Sequence, residues 1–538
     1  MYDYVIVGAG SAGCVLASRL TEDPNVSVLL LEAGGSDKKQ EVQIPAAFSK
    51  LFKTPLDWNY ETEALPTMKN RKMYWPRGKM LGGSSSMNAM MYVRGNRHDY
   101  DEWGEAGNPG WAFADVLPYF KKAEHYERGG TDYVGGAGPL NVAEQRSPNP
   151  ITKVCLEAAV EAGLARTDDF NGRTQEGVGL AVLTQKNGAR YSTATAYLRP
   201  ALKRPNLTVH TEAQVAKVLT DGKRAVGVSY VRGGAQVEER VNREVILCGG
   251  AVNSPQLLLL SGIGPAAHLK ALGIEVVADL PGVGQNLQDH LAGGIQYHSK
   301  QPVSLANAEK LGNVANYLLF RKGPLTSNVA EGVGFLKTKP DLMVPDIELL
   351  FAPAFFVDHG FGNPPGHGFT IGVVLLHPES KGSLTLRSTN PTDPPVIQPN
   401  YLSSENDVKV MIDGLRWARK IGQAKALDAY RGAEFLPGEA VQSDAELTEY
   451  LRERSETLYH PVGTCKMGED PQAVVDPDLR VRGVEGLRVV DASVMPTIIS
   501  GHTNAPSIMI AEKAADLIKG QAAVTAGAAQ SARGTTGD

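Results

Sequence analysis

The apolar and polar positions of this chain fall into two regimes. At the start, YVIV (residues 4–7) is a short β-branched run halted by Gly8, and it predicts a buried strand. SAGCVLASRLTED (11–23) then repeats apolar residues at helical spacing, with Ala12, Val15, Leu16 and Leu20 on one face. A second strand-like run, VSVLLLEAG, ends at Glu32. Strand, glycine turn, helix and strand make a βαβ unit with a right-handed crossover.

Two later runs have the same continuous apolar character, REVILCGG (243–250) and GLRVVDAS (486–493). The second leads into APSIMIAEKAADLIKG (505–520), where Pro506 suits the first helical turn and Gly520 the C-terminal cap. The pattern predicts an α/β fold whose sheet is assembled from distant parts of the chain. Between about 299 and 454 the regime changes. GFTIGVVLLHPES, GSLTLRS and PPVIQPNYL read as antiparallel strands broken by Gly, Pro and Asn, and NDVKVMIDGLRWARKIGQ reads as an amphipathic helix over them. The small, polar tail 521–538 reads as disordered.

Composition narrows the function classes. The net charge is -5 over 538 residues with no Lys/Arg run, which excludes a nucleic-acid footprint. The four cysteines stand far apart with no C-x-x-C pair, so the thiols read as reduced and buried, and no metal site is expected. No basic leader precedes the first strand, and the longest apolar run, around SPQLLLLSGIG, is too short to span a bilayer. A cytoplasmic protein is expected; a loose peripheral association with the inner membrane stays open.

GAGSAG places Gly8, Gly10 and Gly13 between strand and helix. The first glycine permits the turn, the second lets backbone approach a pyrophosphate, and the third lets the helix close on the strand. Glu32 ends the next strand, where a carboxylate accepts ribose hydroxyls. Together they predict a bound dinucleotide without separating NAD from FAD. RGKMLGGSSSMNAMMYV (77–93) runs from a glycine-serine loop straight into an apolar segment, which fits a cofactor wall better than a linker. In YHPVGTCKMG (459–468), Pro461 pushes His460 toward an extended conformation on a loop. An imidazole there suits proton abstraction near neutral pH. Cys465 and Lys466 read as a buried thiol and a solvated lysine.

These stretches, with GAVNSPQLLLLSGIG (250–264) and GLRVVDASVMPTIISGHTNAPSIMIAEKAADLI (486–518), make the chain resemble the glucose–methanol–choline (GMC) oxidoreductase family from Tyr2 to about Lys519. It is most similar to bacterial choline-dehydrogenase-like and alcohol-dehydrogenase-like flavoproteins. The resemblance implies an FAD-binding domain from 1–155, 195–298 and 455–520, and a substrate domain from 156–194 and 299–454. It implies that Gly8, Gly10, Gly13 and Glu32 serve the ADP part of FAD. By the same likeness Gly83 and Asn88 serve the isoalloxazine and pyrophosphate, and Val215 the adenine. Asp491 and Ala492 fall on the flavin-side strand, and Asn504 and Ala505 on the turn beneath the ring. Met87 stands where covalently flavinylated members carry histidine, so non-covalent FAD is expected.

The family's catalytic histidine corresponds to His460 and the second member of the pair to His502. The implied reaction oxidises a primary alcohol to an aldehyde by hydride transfer to flavin N5, with His460 as base. The helix from about Asn504 would aim its positive end at the flavin. Electrons would pass to a quinone-type or other acceptor. Oxygen-using oxidases, hydroxynitrile lyases and fatty-acid photodecarboxylases share the scaffold and stay as alternatives, as does an NAD-dependent dehydrogenase. No cationic cluster argues for an acidic substrate, so a neutral, apolar alcohol is expected. Three further readings stay open. Glu331 either meets a cationic substrate or is solvated, His377 could line the substrate cavity, and FAPAFFVDHGFG (351–362) could form a mobile apolar lip.

Overall fold

The computed structural model describes residues 1–362 and 364–521; the tail read as disordered lies, beyond Gln521, outside them. The predicted βαβ unit forms from strand Tyr2–Val7, helix Ser11–Leu20 and strand Val28–Leu31. Ala12, Val15, Leu16 and Leu20 are all buried, as the helical periodicity requires. Strand Leu207–His210 extends the parallel layer beyond Val28–Leu31.

One long strand organises this half of the molecule. Ala235–Leu247 pairs antiparallel with Arg224–Arg232 through its first half. Its second half runs parallel between Tyr2–Val7 and Leu487–Val489. Chain segments hundreds of residues apart therefore meet in one sheet, as the apolar runs predict. Helix Asn504–Lys519 packs beside Ser11–Leu20; Arg19 pairs there with the fully buried Glu512 at 2.8 Å.

The second sheet is antiparallel, ordered Arg431–Leu436, Leu291–Ser299, Gly368–Leu375, Ile347–Ala352, Gly332–Leu336 and Gly177–Leu180. Helix Glu405–Gly422 lies over it. The boundary drawn at 298 falls inside Leu291–Ser299, which pairs in this sheet, and Glu456–Thr457 pairs with the start of the same strand. Strands Ser383–Thr385 and Val396–Gln398 pair with each other as a separate two-stranded ribbon. They are antiparallel, as the sequence reads, but stand apart from the main sheet, because alternating residues specify a strand, not its partner. Among the described residues no helix is long and apolar enough to cross a membrane.

Candidate active site and cofactor cavity

A cavity of about 580 Å³ runs between the two sheets. Gly8, Gly10, Glu32, Val215, Gly83, Asn88, Asp491, Ala492 and Asn504 all line it, as do His460 and His502. Two sequence-predicted residues do not line it. Gly13 serves packing: a Cβ there would stand 1.9 Å from Gly8 O, so only glycine lets the helix close on the strand. Ala505 is buried in the helix's first turn, behind Asn504.

The predicted dinucleotide residues have the features that phosphate and ribose require. Gly10 leaves open space where a side chain would project, its nearest neighbour 4.0 Å from a built Cβ. Glu32 accepts from Ala9 N at 2.9 Å and Gly34 N at 2.8 Å, and burial pushes its carboxyl up to about 7. Gly82 N donates to Ala9 O at 2.7 Å, and Gly83 sits so close over Gly10 that a Cβ would meet Gly10 Cα at 2.7 Å. The two glycine loops thus form one wall. Asp491 accepts from Gly250 N, Ser254 Oγ and Ser493 N, and burial raises its carboxyl. It ties the start of helix Gly250–Leu260 to the turn at 491–493. Asn504 Oδ1 accepts from Ser11 Oγ at 2.7 Å, joining the N-termini of the two helices that open on the cavity. Such N-termini favour anionic groups.

The wall loop has a buried support that the sequence did not reveal. Arg190 donates to Val42 O, Ser85 O and Asn88 Oδ1, at 2.8, 3.2 and 2.9 Å. Asn88 Oδ1 also accepts from Met90 N at 3.0 Å, so its amide nitrogen is left for the cavity. Met87 is buried beside it and lines the cavity.

The rings of His460 and His502 stand 4.9 Å apart, nearly perpendicular at 84°. The two imidazoles, distant in sequence, converge. Strand pairing delivers His460: residue 288 exchanges backbone bonds with Val462, and Leu458 N donates to His290 O. Asp289 Oδ1 accepts from His460 N at 2.7 Å, while its other oxygen accepts from Tyr401 and Thr457 hydroxyls. Tyr459 takes a left-handed φ of 67°, and its carbonyl accepts from the half-buried Arg77 at 2.5 Å. Such backbone strain persists only where surrounding contacts over-determine it.

Two residues without a predicted role complete the cluster. His290 Nδ1 lies 3.0 Å from His460 Nδ1, and His290 Nε2 lies 3.2 Å from Leu376 O. Burial and the neighbouring His502 and His377 bring His290 down to about 3. Burial, with His502, His290 and Arg77, also holds His460 well below the ordinary imidazole range. Glu348, fully buried on Ile347–Ala352, accepts from His502 Nε2 at 2.8 Å. One signal for each was available: the polar triplet Gln288-Asp289-His290 between two leucines, and a lone carboxylate inside the apolar run IELLFA.

Other expectations resolve differently. His377 does not line the cavity; its Nε2 meets Ser500 Oγ at 3.0 Å, and Ser500 donates to the buried Asp99. Glu331 is neither solvated nor in the cavity: it accepts from Asn149 N, Thr152 Oγ1 and Ser327 Oγ, fastening helix Pro150–Glu161 to the second sheet. Burial outweighed exposure because three donors satisfy the carboxylate. Phe356, Val357 and Asp358 of the proposed lip line the cavity. All four cysteines are buried and free, and Lys466 pairs with Asp470 at 2.8 Å.

Two family models, both described as GMC oxidoreductase, match residues 2–292 and 378–511. The chain belongs to the GMC oxidoreductase family. Mitochondrial choline dehydrogenase of Mus musculus is 49% identical over 97% of this chain and 90% of its own length. Alcohol dehydrogenase [acceptor] of Pseudomonas putida is 47% identical over 96% of each. The crystal structure of pyridoxine 4-oxidase from Mesorbium loti superposes with a TM-score of 0.89 at 33% identity, covering 97% of this chain and all of that one. As a GMC family member the chain is an FAD-dependent oxidoreductase acting on CH–OH donors, and the glycine wall, Glu32 and the two helix N-termini fit that dinucleotide.

Proposed function

We propose that this protein oxidises a small, neutral primary alcohol to the aldehyde, with His460 as the base. The hydrogen-bond chain through His290 carries this reading. Leu376 O can only accept, so His290 Nε2 holds hydrogen; the neutral ring's Nδ1 must then accept, and His460 Nδ1 must donate. That assigns the free lone pair to His460 Nε2, the nitrogen available to a substrate hydroxyl. Its lowered affinity for protons keeps it ready as a base at neutral pH.

His502 complements it. Glu348 accepts the Nε2 hydrogen of His502 and fixes the ring beside His460; Nδ1 donates to the substrate oxygen only when it also carries hydrogen. As His460 takes the hydroxyl proton, the α-carbon is freed to give up hydride, and the aldehyde forms. FAD, when bound, would supply the two-electron acceptor for that hydride. The residues of the predicted cofactor set would hold it without a covalent link, since the Met87 thioether replaces a nucleophilic ring nitrogen. Phe48, Phe52, Trp58 and Phe356 give the cavity an apolar lining, which suits a neutral alcohol. Electrons then pass to a quinone-type or other acceptor; one relative is named alcohol dehydrogenase [acceptor] and another oxygen-dependent choline dehydrogenase.

Anaerobic mixing with a panel of alcohols, choline included, tests the reading. Flavin absorbance near ~450 nm should bleach with wild type. His460→Ala should stay yellow and reduce at least ~10³-fold more slowly, within the range for a lost base. Bleaching at the wild-type rate would remove His460 from the chemistry. Turnover with a quinone analogue but not with oxygen supports the acceptor; peroxide release at the same rate would overturn it.

A further inference from the structure

Helix Leu311–Phe320 reverses the usual pattern of a surface helix. Its ten residues, LGNVANYLLF, carry no charge. Tyr317 points inward, packed with Ala308 and Leu325 and flanked by Ile44, Ala46 and Val314. The opposite face, formed by Leu311, Ala315, Leu318 and Leu319, is turned to solvent. Leu311 is 88% exposed, Leu319 73%, Phe320 62% and Leu318 51%. No other element among the described residues exposes more than one large apolar side chain. A concentration of this kind on one helix marks a surface that something covers.

Cations rim this face. Lys310 precedes the helix, Arg321 and Lys322 follow it, and all three are exposed, with the Arg321 guanidinium laid over the inward Tyr317 ring at 4.7 Å. The exposed Arg146 abuts Gly188 beside the Arg321 carbonyl, adding a fourth charge. Glu309 does not offset them, because Lys50 pairs with it at 2.5 Å. The chain as a whole carries -5, so the positive rim is local. A second copy seated face to face would bring like charges together. An anionic lipid surface meets both features at once, with headgroups for the cations and the acyl boundary for the leucines.

The patch adjoins the cavity wall. Residues Pro45–Leu51 form a 3₁₀ turn beneath the helix, with Ala46 packed under it, while Phe48 faces the cavity. On the turn's other side Ser49 abuts Gly360, next to Phe361, which is 41% exposed and stacks edge-on against Phe52. We propose that helix Leu311–Phe320 docks this protein on anionic bilayers, lying in the interface with its leucines immersed. The cavity wall at 45–52 then stands at the lipid boundary. There an apolar alcohol and a lipid-soluble acceptor are most concentrated, a consequence that rests on the proposed reaction while the docking does not.

Flotation of the FAD-loaded protein with vesicles tests it directly. Wild type should float with phosphatidylcholine–phosphatidylglycerol vesicles at least ~10-fold better than with pure phosphatidylcholine, and less so as salt rises. The double variant Leu318→Ser/Leu319→Ser should lose that binding, and Lys310→Glu/Lys322→Glu should lose the preference for anionic lipid. Both should keep dye-linked activity in solution within about two-fold, since none of these residues lines the cavity. Wild type remaining unbound at low salt, or the serine variant floating equally well, would overturn the proposal. So would sedimentation showing a dimer that the serine variant dissolves.

Discussion

His290 Nδ1 lies 3.0 Å from His460 Nδ1, so two imidazoles share one hydrogen through the same type of nitrogen. Only the opposite end of His290, against the Leu376 carbonyl, decides which ring donates. His290 thereby acts as a positioning residue in the proposed reaction: it fixes the tautomer of the proposed base, His460, without lining the cavity. His290→Ala should leave FAD content unchanged and lower kcat by about 10²-fold, the lower range for lost acid–base function. His290→Asn, whose side-chain oxygen can still accept from His460, should recover part of that loss. Equal activity in all three proteins would show that the tautomer is set elsewhere.

The pH profile follows from burial. His460 is held below the ordinary imidazole range, so the proposed base stays unprotonated in mildly acidic solution. The acidic limb of kcat/KM should fall below the free imidazole value of about 6.5. Stability has the same sign at His290. Its folded affinity for protons is depressed, so the unfolded chain binds more protons between about 6.5 and about 3. Stability from this group is full above that window and declines as pH falls through it, by about 1.4 kcal/mol per unit. An acidic limb at or above 6.5 in the free enzyme would contradict the burial of the base.

Glu348 and His502 form the second buried pair, at 2.8 Å. Glu348→Gln keeps an acceptor for His502 Nε2, so orientation survives and kcat should fall by about 10-fold or less. Glu348→Ala leaves that buried donor unpaired and the ring free to turn. A loss of ~10²–10³-fold is expected, comparable to removing a donor that holds a reacting oxygen. Steady-state kinetics of both variants check the difference; identical losses would mean that charge, not geometry, is what Glu348 supplies.

How much of this was legible in sequence depends on how local each signal is. The Gly8–Gly13 loop, Glu32 and the buried helix face were readable, because strand, turn and helix lie within thirty-odd consecutive residues. His460 and His502 were reached through resemblance; spacing alone never places two rings 4.9 Å apart. His290 was missed because it reaches His460 only when the backbone of residue 288 pairs with that of Val462. Glu348 was hidden inside a strand that reads as purely apolar. Glu331 shows the opposite error. A carboxylate in apolar sequence reads as exposed or substrate-facing, yet three donors, two of them from the distant segment 149–152, satisfy it in a buried place. Glu331→Ala should therefore lower Tm by several degrees while leaving the ratio of activities on choline and a neutral alcohol unchanged.

Arg190 poses a problem that only a function in the cofactor wall resolves. The side chain is buried, no carboxylate pairs with it, and desolvation brings the guanidinium down to about 9. Its Nη2 has no hydrogen-bond partner at all. A buried cation of this kind costs stability unless its donors meet acceptors, and here the acceptors are two backbone carbonyls and Asn88 Oδ1. The bond to Asn88 is the informative one: it commits the amide oxygen inward and leaves the NH₂ facing the cavity. Arg190→Met removes that constraint and orphans the Val42 and Ser85 carbonyls, at about 1–3 kcal/mol each. FAD should bind at least ~10-fold more weakly, measured well below the apoprotein's Tm so that cofactor loss is not mistaken for unfolding. Arg190→Lys, which keeps the charge but one donor direction, should fall between. If Arg190→Met lowers Tm yet retains full FAD affinity, the residue braces the loop without setting the face that Asn88 presents.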